Sequence, residues 1–576
     1  MAIIGIDLGT TNSAMAMYKD GEAEIILNGN DQRTTASAFQ LKPNGEEVIG
    51  SSAKKGAASM PRHTVLEVKR KMGGEEEVQV GARTYKPEEI SSKILRYLKK
   101  SAEEKLGEPV TEAVITVPAY FTDAQRKSTK IAGELAGLRV ERIINEPTAA
   151  ALAFCHDNLD EDQFILVYDL GGGTFDVSLV ELFDGVIEVK SSTGDNFLGG
   201  TDFDETIIKL IKDKFLKANG FPMEEAAQDA NMLYYMLKEA AENAKIELST
   251  QVETDISLPF IGLKDNLPVS FIGQLTRIEF ENAIREKVES TIIKINETLE
   301  EAAISKDQVS EILMVGGSTR IPLVRGYVEK AFGKKVRTDI NPDEVVATGA
   351  AVQAALKSGE IDSAVGLVAI DVCPYTLGIE IVNKVNNQII PGYFDPIIRK
   401  NSAIPVTERK TYNTVSDNQT SVNVKVYQGE GRFVSENQLV SDELHVEGIP
   451  PNAAGQEEVE ISFSYDINGI IQISAVIVST GHKVTQVIQS QQGVMSAKEK
   501  RRSMERMEQE GLDADLYEGM KKAIHNAEKM MDDCSPEDRT RIERILADIE
   551  TAVAAEDNAA LRKLDEQLLD LLIELV

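Results

Sequence analysis

One short phrase occurs twice in the sequence, and it has the composition of a phosphate-binding turn. Gly5 to Tyr18 reads GIDLGTTNSAMAMY, and Tyr168 to Glu181 reads YDLGGGTFDVSLVE. In each copy an apolar run leads to an Asp, a turn of Gly and Thr follows, and a second apolar run begins. Glycine lets main-chain N–H groups approach an anion closely, and consecutive N–H groups form an anion-binding concavity. Because Asp and phosphate repel, the pattern predicts a cation such as Mg²⁺ between them.

The duplication predicts a clamp, in which two hairpins face one cleft and hold a triphosphate from both sides. A single DLGTT is a weak signal, since Gly–Thr turns are common in hairpins, but the pair is a stronger one. The sequence contains neither a Walker A pattern nor GxGxxG. The P-loop and dinucleotide-binding folds are therefore not supported.

Two further segments fit the nucleoside half of such a site. LMVGGSTRIP, from Leu313 to Pro322, is an ordinary strand-to-helix turn or a main-chain platform on which Arg320 stacks against a base. KEAAENAKIELS places Glu242, Lys245 and Ser249 on one side of a helix, which is a solvated face or a set of hydrogen-bonding groups for adenosine.

Two charged residues fit the phosphate half. Glu146 precedes Pro147 at a predicted helix start, where a carboxylate could orient a water molecule. Lys69 lies in LEVKRKMGG and is either a surface lysine, as most lysines are, or a cation for the phosphates.

The elements that must position these residues fall into three regions. From residue 1 to about 360, strand-like and helical runs alternate, which predicts an α/β region with much parallel pairing. From about 372 to 492 the apolar period becomes two and a hairpin turn stands at Asn468-Gly469, which predicts antiparallel sheets. From about 496 onward the pattern is helical, with a cap at Ser535 and Pro536, which predicts a small bundle or lid.

The segment between the first two regions is unusually apolar for a linker. DSAVGLVAIDVCP runs from Asp362 to Pro374 and includes five Val, Leu and Ile residues. It is either a buried strand or a segment that docks on a neighbouring domain in one state and is released in another.

The composition limits the class of protein. A chain of 576 residues predicts two to four domains. Its formal charge of −32 argues against binding to nucleic acid or to an anionic membrane surface. The three cysteines form no CxxC pair, and neither a signal peptide nor an apolar run of membrane length is visible, so a cytoplasmic protein is expected.

Taken together, the motifs resemble those of the heat-shock 70 kDa (DnaK-type) chaperones over essentially the whole chain. They are IGIDLGTTNS, VPAYFTDAQR, INEPTAAA, DLGGGTFD, VGGSTRIP and NPDEVVATGAAVQAA. Within the family, GDNFLGG, DVCPYTLGIE, FDPIIRKNSAIPV and FSYDINGIIQI resemble the HscC-type branch.

The resemblance implies a multi-domain fold. An α/β, actin-like ATPase domain with a duplicated ribonuclease H-like core would occupy residues 1–361, and a linker 362–373. An antiparallel β-sandwich that binds peptide would occupy 374–493, and a small α-helical lid 494–576.

The resemblance also implies roles in the ATP site. Asp7 and Asp169 would hold hydrated Mg²⁺, with K⁺ as an optional further ion, and Lys69, Glu146, Thr174 and Asp176 would serve hydrolysis. The residues implied to bind ATP or ADP are Asp7, Gly9, Thr10, Thr11, Asn12, Gly171, Gly172, Gly173, Thr174, Glu242, Lys245, Ser249, Gly316, Gly317, Ser318, Arg320 and Asp343.

Two more residue sets follow from the resemblance. The implied peptide cleft consists of Ile379, Val382, Ile404, Tyr412, Val415, Val422, Val424 and Val459, each of which could instead be strand core. The implied relay between domains consists of Pro118, Arg126, Arg142, Leu367, Val368, Ile370 and Asp371.

The sequence departs from the DnaK pattern outside the ATP site. Gly366 and Ala369 dilute the linker, Val382 and Val415 form the expected arch over the peptide, and the loop from Asn383 to Asn401 is expected to be longer. A basic latch residue is missing near Ala454, opposite the acidic Asp417, and the helical stretch before Ser535 is short. Substrate preference and lid closure are therefore expected to differ.

The predicted function is an ATP-driven chaperone that binds and releases extended apolar segments of unfolded proteins. A J-domain co-chaperone is an implied partner and a nucleotide-exchange factor an optional one, with no nucleic acid or membrane partner. The alternatives are a small-molecule kinase of the actin-like superfamily and an actin-like filament protein. The roughly 200 residues after the linker, which build no obvious second catalytic site, argue against both.

Overall fold

The computed structural model describes residues 2–156, 162–337, 339–361, 367–385, 388–487, 494–531, 535–554 and 558–575. Asp362 to Gly366, the first part of the predicted linker, and Cys534 lie outside these ranges.

The first lobe, residues 2–156, is built on a sheet with the strand order β11–β10–β1–β2–β3. Its elements are β1 (Ala2–Asp7), β2 (Asn12–Lys19), β3 (Glu22–Ile25), β4 (Thr35–Ala36), β5 (Ala38–Leu41), β6 (Glu47–Ile49), α1 (Ser51–Lys55), β7 (Thr64–Leu66), β8 (Val78–Val80), β9 (Arg83–Tyr85), α2 (Pro87–Leu106), β10 (Val110–Val117), α3 (Asp123–Leu135), β11 (Arg139–Asn145) and α4 (Glu146–His156). Strands β1, β10 and β11 are parallel, and β1 turns back antiparallel into β2. The first repeated phrase is therefore a hairpin whose Asp7 ends a buried strand.

The second lobe, residues 162–358, begins with the same arrangement. Its elements are β12 (Gln163–Leu170), β13 (Phe175–Phe183), β14 (Val186–Asp195), α5 (Gly200–Asn219), α6 (Ala230–Leu248), β15 (Glu253–Lys264), β16 (Leu267–Thr276), α7 (Arg277–Glu301), β17 (Val309–Val315), α8 (Pro322–Phe332) and α9 (Val345–Ser358). Strands β12, β13 and β14 form an antiparallel meander, and β17 pairs in parallel with β12 as β10 does with β1. The repeat in the sequence is thus a repeat of strand topology.

Small residues let the two lobes come close. Helices α4 and α9 pack on one another, and a Cβ atom on Gly349 of α9 would lie 1.7 Å from the carbonyl oxygen of Ala149 on α4. A Cβ on Gly5 of β1 would lie 2.2 Å from the main-chain nitrogen of Ala351. This close packing brings the two hairpins to one cleft.

The third region contains two four-stranded antiparallel sheets, ordered β20–β19–β23–β24 and β22–β25–β26–β27. The strands from the linker onward are β18 (Val368–Val372), β19 (Leu377–Val385), β20 (Gln388–Ile398), β21 (Ala403–Ile404), β22 (Val406–Asn413), β23 (Ser421–Gln428), β24 (Gln438–Glu447), β25 (Glu458–Tyr465), β26 (Ile471–Ile477) and β27 (Lys483–Val487). Residues 377–487 are called the β domain below. The expectation of a long loop from Asn383 to Asn401 is wrong, because most of that segment is β20, which pairs with β19.

The linker residues from Val368 onward form a strand of the second lobe's sheet. Strand β18 pairs in parallel with β14, with Val368 opposite Val186, and antiparallel with β21 of the β domain. Leu367 and Val372 are 5% and 4% exposed, whereas Val368 is 51% exposed. In this segment Leu367 and Val372 make the apolar contact, and Val368 does not.

The tail helices are α10 (Ala497–Met530), α11 (Pro536–Ala554) and α12 (Asn558–Leu575), which share a core around Met520, Ile542 and Leu568. Just before α10, Met495 packs on Leu135 of α3, and Glu499 pairs with Lys86 at 2.7 Å. The start of α10 therefore lies on the first lobe. In the described residues, no helix combines the length and apolar character needed to cross a membrane.

Candidate functional site

The turns of the two repeated hairpins touch one another. A Cβ atom on Gly172 would lie 2.5 Å from the hydroxyl oxygen of Thr11, and one on Gly173 would lie 2.7 Å from the methyl carbon of Thr10. Glycine allows this approach, because a side chain at either position would have to displace the Thr side chain of the opposite turn. The two Gly–Thr turns therefore form adjoining walls of one cavity.

That cavity has a volume of about 790 Å³ and collects most of the residues predicted for the nucleotide. The predicted residues that line it are Asp7, Gly9, Thr10, Thr11, Asn12, Lys69, Glu146, Asp169, Gly171, Gly172, Thr174, Glu242, Lys245, Ser249, Gly316, Gly317, Ser318, Arg320 and Asp343. Two predicted residues lie behind this lining, namely Gly173 and Asp176. Asp176 is 1% exposed and accepts a hydrogen bond from the main-chain N–H of Tyr120 at 3.1 Å.

The phosphate end of the cavity contains more buried carboxyl groups than buried cations. Lys69 and Glu146 are 5% and 7% exposed and form an ion pair at 2.7 Å. Burial, followed by repulsion from Glu146, raises the pKa of Asp7 to about 7 and that of Asp176 to about 8. The pKa of Asp169 is raised well above its ordinary value by burial, by Glu146 and by the two other aspartates.

This donor set fits a divalent cation. Mg²⁺ commonly takes one or two protein carboxylates and completes its shell with phosphate oxygens and water. Asp7 and Asp169 both face the cavity and repel one another, and a cation between them would remove that repulsion. Within the described ranges, no three His, Cys, Asp or Glu side chains are grouped as ligands of one metal ion. That is compatible with an ion that takes its other ligands from phosphate and water.

The opposite end of the cavity is held together by polar pairs. Lys54 of the first lobe pairs with Glu242 of α6 at 2.7 Å, so the pair bridges the cleft. Lys245, one helical turn further on, pairs with the buried Asp204 at 2.6 Å. Glu242 and Lys245 therefore do not form a merely solvated helix face.

The Gly–Gly turn after β17 supplies a main-chain surface. Gly316 has a φ angle of 81°, and a Cβ there would lie 2.5 Å from the carbonyl oxygen of Leu170. The 3₁₀ turn Gly317–Arg320 follows, and the Arg320 guanidinium pairs with Asp343 at 2.6 Å at the rim of the cavity. The structure thus places Arg320 where a planar group could stack on it.

A segment that sequence reasoning did not assign to the site supports the second hairpin. The N–H groups of Gly200 and Thr201 donate to the carbonyl oxygens of Gly171 and Gly172 at 3.0 and 2.8 Å. Gly200 also lines the cavity, and a Cβ on Gly199 would lie 2.6 Å from Gly172. The paired glycines in GDNFLGG were the available signal, but a Gly–Gly pair predicts a turn without predicting its neighbour.

Two other groups were missed because nothing local marks them. The hydroxyl group of Thr116 on β10 donates to Asp7 at 3.2 Å, and Asp204 on α5 pairs with Lys245. Both are ordinary helix or strand residues in the sequence, and only the packing brings them to the cavity.

The residues predicted for a peptide cleft divide into two sets. Ile379, Ile404, Val424 and Val459 are 4 to 7% exposed and belong to the core between the two sheets of the β domain, with Tyr412 and Val422 half-buried beside it. Val382 and Val415 are 37% and 45% exposed. The structure brings the first six together and leaves the expected arch residues at the surface.

The predicted relay residues lie along the contact between the first lobe, the linker strand and the β domain. Arg126 is 4% exposed and donates to the carbonyl oxygens of Phe121 and Ala119 and to the side chain of Asn145. Pro118 begins the same turn, where its carbonyl oxygen accepts from Phe121 at 3.2 Å.

The remaining relay residues connect β18 to the first lobe. Arg142 donates to Gln353 at 2.6 Å and to the carbonyl oxygen of Ala369 at 3.5 Å. Asp371 is 5% exposed and accepts from the hydroxyl group of Thr148 at 3.1 Å, while Ile370 is half-buried. The linker strand is therefore held by polar contacts to β11 and α4 as well as by its sheet pairing.

At the rim of the β domain, the acidic residue opposite Ala454 has a main-chain partner. The N–H of Ala454 donates to Asp417 at 2.8 Å. In place of a basic side chain at this position, Asp417 thus has a hydrogen bond that joins the β22–β23 loop to the β24–β25 loop.

One comparison with known proteins bears on the whole chain. A family model described as Hsp70 protein matches residues 3–80 and 74–575. The matched segments include the cavity, the linker strand, the β domain and the tail helices.

Proposed function

The chain belongs to the Hsp70 family, and on that premise we propose that it is an ATP-driven chaperone that binds and releases extended apolar segments of unfolded proteins. Proteins of this family are ATPases that bind ATP or ADP with Mg²⁺, and membership supports a chaperone role. The observation that carries the proposal is the cavity in which two Gly–Thr hairpins adjoin beside the half-buried Asp7 and the buried Lys69, Glu146 and Asp169.

In the proposed mechanism, main-chain N–H groups and Thr hydroxyls of both hairpins bind the phosphates. Asp7 and Asp169 would hold the Mg²⁺, which supplies neutralisation of phosphate charge when it is bound. Lys69 stabilises the charge on the terminal phosphate. Thr174, in the turn of the second hairpin, lines the same cavity. Phosphoryl transfer of this kind depends mainly on positioning and on charge stabilisation.

The attacking water is assigned to two carboxylates. Glu146 lines the cavity and pairs with Lys69. In this proposal Glu146 orients the attacking water and Lys69 contacts the terminal phosphate, so one ion pair carries both roles. Asp176 lies on β13 of the second hairpin, where the main-chain N–H of Tyr120 restrains its carboxylate. We assign both residues to orienting water and not to binding nucleotide.

The nucleoside is assigned to the opposite end of the cavity. Glu242, Lys245 and Ser249 would face the ribose and base from α6, and Gly316, Gly317 and Ser318 would supply main-chain contacts. Arg320, held by Asp343, would stack on the base.

The domain division that goes with this function is residues 1–361, 362–373, 374–493 and 494–576. The β domain would bind an extended peptide through main-chain hydrogen bonds and side-chain pockets. Strand β18 supports coupling to the ATPase, because it pairs at once with β14 of the second lobe and with β21 of the β domain. Release of that strand would separate the two regions, so occupancy of one site would bias the other.

The remaining assignments concern the branch of the family, the partners, a further ion and the location. Motifs such as GDNFLGG and DVCPYTLGIE support the HscC-like branch. A J-domain co-chaperone, an optional nucleotide-exchange factor, optional K⁺ and a cytoplasmic location complete the proposal.

The test is ATP turnover measured with a panel of J-domain proteins and ligands. An unfolded apolar peptide should raise turnover, whereas a sugar or a small acid should not. Phosphorylation of a small molecule would favour a kinase instead. ATP-dependent sedimentation of the protein as polymer would favour a filament.

A further inference from the structure

A carboxyl group is sealed where the start of α10 covers the first lobe. Glu88 lies in the first turn of α2 and is 0% exposed. One of its oxygens, Oε1, accepts from the hydroxyl group of Ser128 on α3 at 2.8 Å. Within the described part of the chain, its other oxygen, Oε2, is buried without a hydrogen-bond partner.

The cover over this group comes from the far end of the sequence. Met495 is 4% exposed and packs on Leu135 of α3. Its main-chain N–H lies near enough to the Glu88 carboxyl to lower the pKa of that group. Ion pairs beside it, between Lys86 and Glu499 and between Glu89 and Arg506, hold α10 to α2. Removal of the α10 segment from the first lobe would therefore return the Glu88 carboxyl to water.

The cations near Glu88 are engaged with other carboxylates. The surrounding charged groups are Lys86 and Glu89 on α2 or its cap, Asp123, Lys127 and Glu134 on α3, and Glu499, Lys500 and Arg506 on α10. Lys86 pairs with Glu499, Arg506 with Glu89, Lys500 with Glu134, and Lys127 with Asp123. A charged Glu88 is thus buried with the Ser128 hydroxyl and the main-chain N–H groups of Glu88 and Met495 as donors, and without a cation of its own among the ion pairs of the described residues.

We propose that docking of the α10 segment on the first lobe is linked to proton uptake at Glu88, so that acid favours the docked arrangement. The inference concerns docking itself and holds whether or not the proposed chaperone activity is correct. A neutral carboxyl group costs less to bury than a carboxylate, and the docked state is the one that buries it.

The direction of the pH dependence follows from the pKa of Glu88 in the docked and undocked states. Exposed in the undocked state, Glu88 would have an ordinary pKa of about 4.3. Burial raises the pKa of docked Glu88, and its own main-chain N–H, the Ser128 hydroxyl, Lys86 and the Met495 N–H oppose that rise without cancelling it. Docking is therefore strongest below the undocked pKa and weakens by up to about tenfold per pH unit until the docked pKa is passed.

Neighbouring acids do not reverse this sign. The pKa of Glu499 is lowered to about 2 by its bonds with Lys86 and Ser496, so its contribution to docking has the opposite sign but is lost only below its undocked pKa, and above about pH 5 this group is charged in both states. The pKa of Asp123 is raised by burial, which Lys127 and the main-chain N–H of Ile471 in the β domain oppose, so Asp123 adds a dependence of the same sign only when the β domain undocks together with α10. Replacing Glu88 alone should thus reduce the pH dependence and not abolish it.

The experiment measures docking by energy transfer between two dyes in the full chain. The dyes are attached at K100C on α2 and R502C on α10, both exposed positions, in a C534S background in which the remaining Cys155 and Cys373 are buried. Transfer is recorded between about pH 5 and pH 8, without nucleotide and with ATP. The variants are Glu88→Gln, which is nearly isosteric, and Glu104→Gln, an exposed glutamate on the same helix, as the control.

In the parent protein the docking constant should fall as pH rises. In Glu88→Gln it should depend less on pH, and at pH 8 it should be several-fold higher than in the parent. Glu104→Gln should follow the parent curve. Ser128→Ala removes the donor that favours the charged form, so it should steepen the dependence. The proposal is overturned if Glu88→Gln and the parent have the same slope, or if Glu104→Gln flattens the curve equally.

Discussion

The nucleotide cavity and the β domain show two different relations between a motif and a site. In the cavity, Asp7, Lys69, Glu146 and Asp169 come from four separate elements and line one site, where Asp7 is half-buried and the other three are buried. In the β domain, four of the eight predicted cleft residues are packed in the core, and only Val382 and Val415 lie exposed at the surface.

The difference comes from what each residue type costs to bury. A buried lysine or aspartate needs a partner, so its presence in a motif already restricts its surroundings. A valine packs equally well in a core or against a bound peptide, so its type does not distinguish the two roles. Charged motifs therefore predict a site more sharply than apolar ones.

The largest expected effect tests the charged side of this comparison. Lys69→Ala should slow single-turnover hydrolysis of prebound ATP by about a hundredfold or more, because one charge-stabilising group contributes about 3 kcal/mol. Lys71→Ala is the matched control, since Lys71 lies in the same 3₁₀ turn, is 39% exposed and pairs with Glu76 at 2.8 Å.

Binding of ATP should persist in Lys69→Ala, which a filter or fluorescence assay can check. A rate within a few-fold of the parent would remove Lys69 from the mechanism. Asp169→Asn should instead change the Mg²⁺ concentration needed for half-maximal hydrolysis.

The next effect tests which linker residue docks. Leu367→Asp should uncouple peptide from ATP turnover, because burying an unpaired carboxylate costs several kcal/mol, enough to shift a docking equilibrium of a few kcal/mol. Val368→Asp should retain peptide stimulation, since Val368 is 51% exposed whereas Leu367 is 5% exposed. Equal loss of stimulation in both variants would show that burial at Leu367 is not the cause.

A smaller effect separates core from surface within the β domain. Val424→Ala should lower the free energy of unfolding by about 2 kcal/mol, since it removes two buried methyl groups and leaves a cavity. Val415→Ala, at a 45% exposed position, should change stability by less than about 0.5 kcal/mol. It should nevertheless speed release of a fluorescent peptide several-fold if Val415 belongs to the arch.

The assay for this pair is urea unfolding alongside peptide dissociation. If Val415→Ala alters neither property, the arch assignment fails. If Val424→Ala is neutral to unfolding, the position of that side chain in the core is wrong.

The smallest effect concerns the lid. Deleting Ala497 to Val576 should speed peptide release in excess ADP by less than about tenfold, because Asp417 already bonds to the N–H of Ala454 and no basic latch residue stands there. Dissociation is compared between the full chain and a chain ending at Ser496. A hundredfold acceleration would mean that the lid contributes about 2.7 kcal/mol, and the weak-latch prediction would be wrong.

Element types were largely predictable from local pattern. The helix predicted from PEEISSKILRYLKKSAEEKL spans Pro87–Leu106, where Pro87 opens the first turn and Gly107 ends the helix with a φ angle of 73°. The turn at Asn468-Gly469 joins β25 to β26, as the hairpin signal predicts. Proline, glycine and apolar period act within a few residues, so these features can be read locally.

The nucleotide-cavity residues on the two hairpins were also predictable from the sequence, because an Asp followed by a Gly–Thr turn restricts both conformation and chemistry. Asp204, Thr116 and Gly200 were not, since each reaches the cavity only through an element distant in sequence.

By itself, the sequence determined the duplicated hairpins, the order of α/β, β and helical regions, and the charged groups that need partners. Only the tertiary structure decided exposure: that Leu367 is buried while Val368 is not, and that Met495 covers Glu88 across about 400 residues of chain. The physical reason is that burial depends on which distant surfaces meet, and the free energy of a side chain in water or in a contact is set by those neighbours.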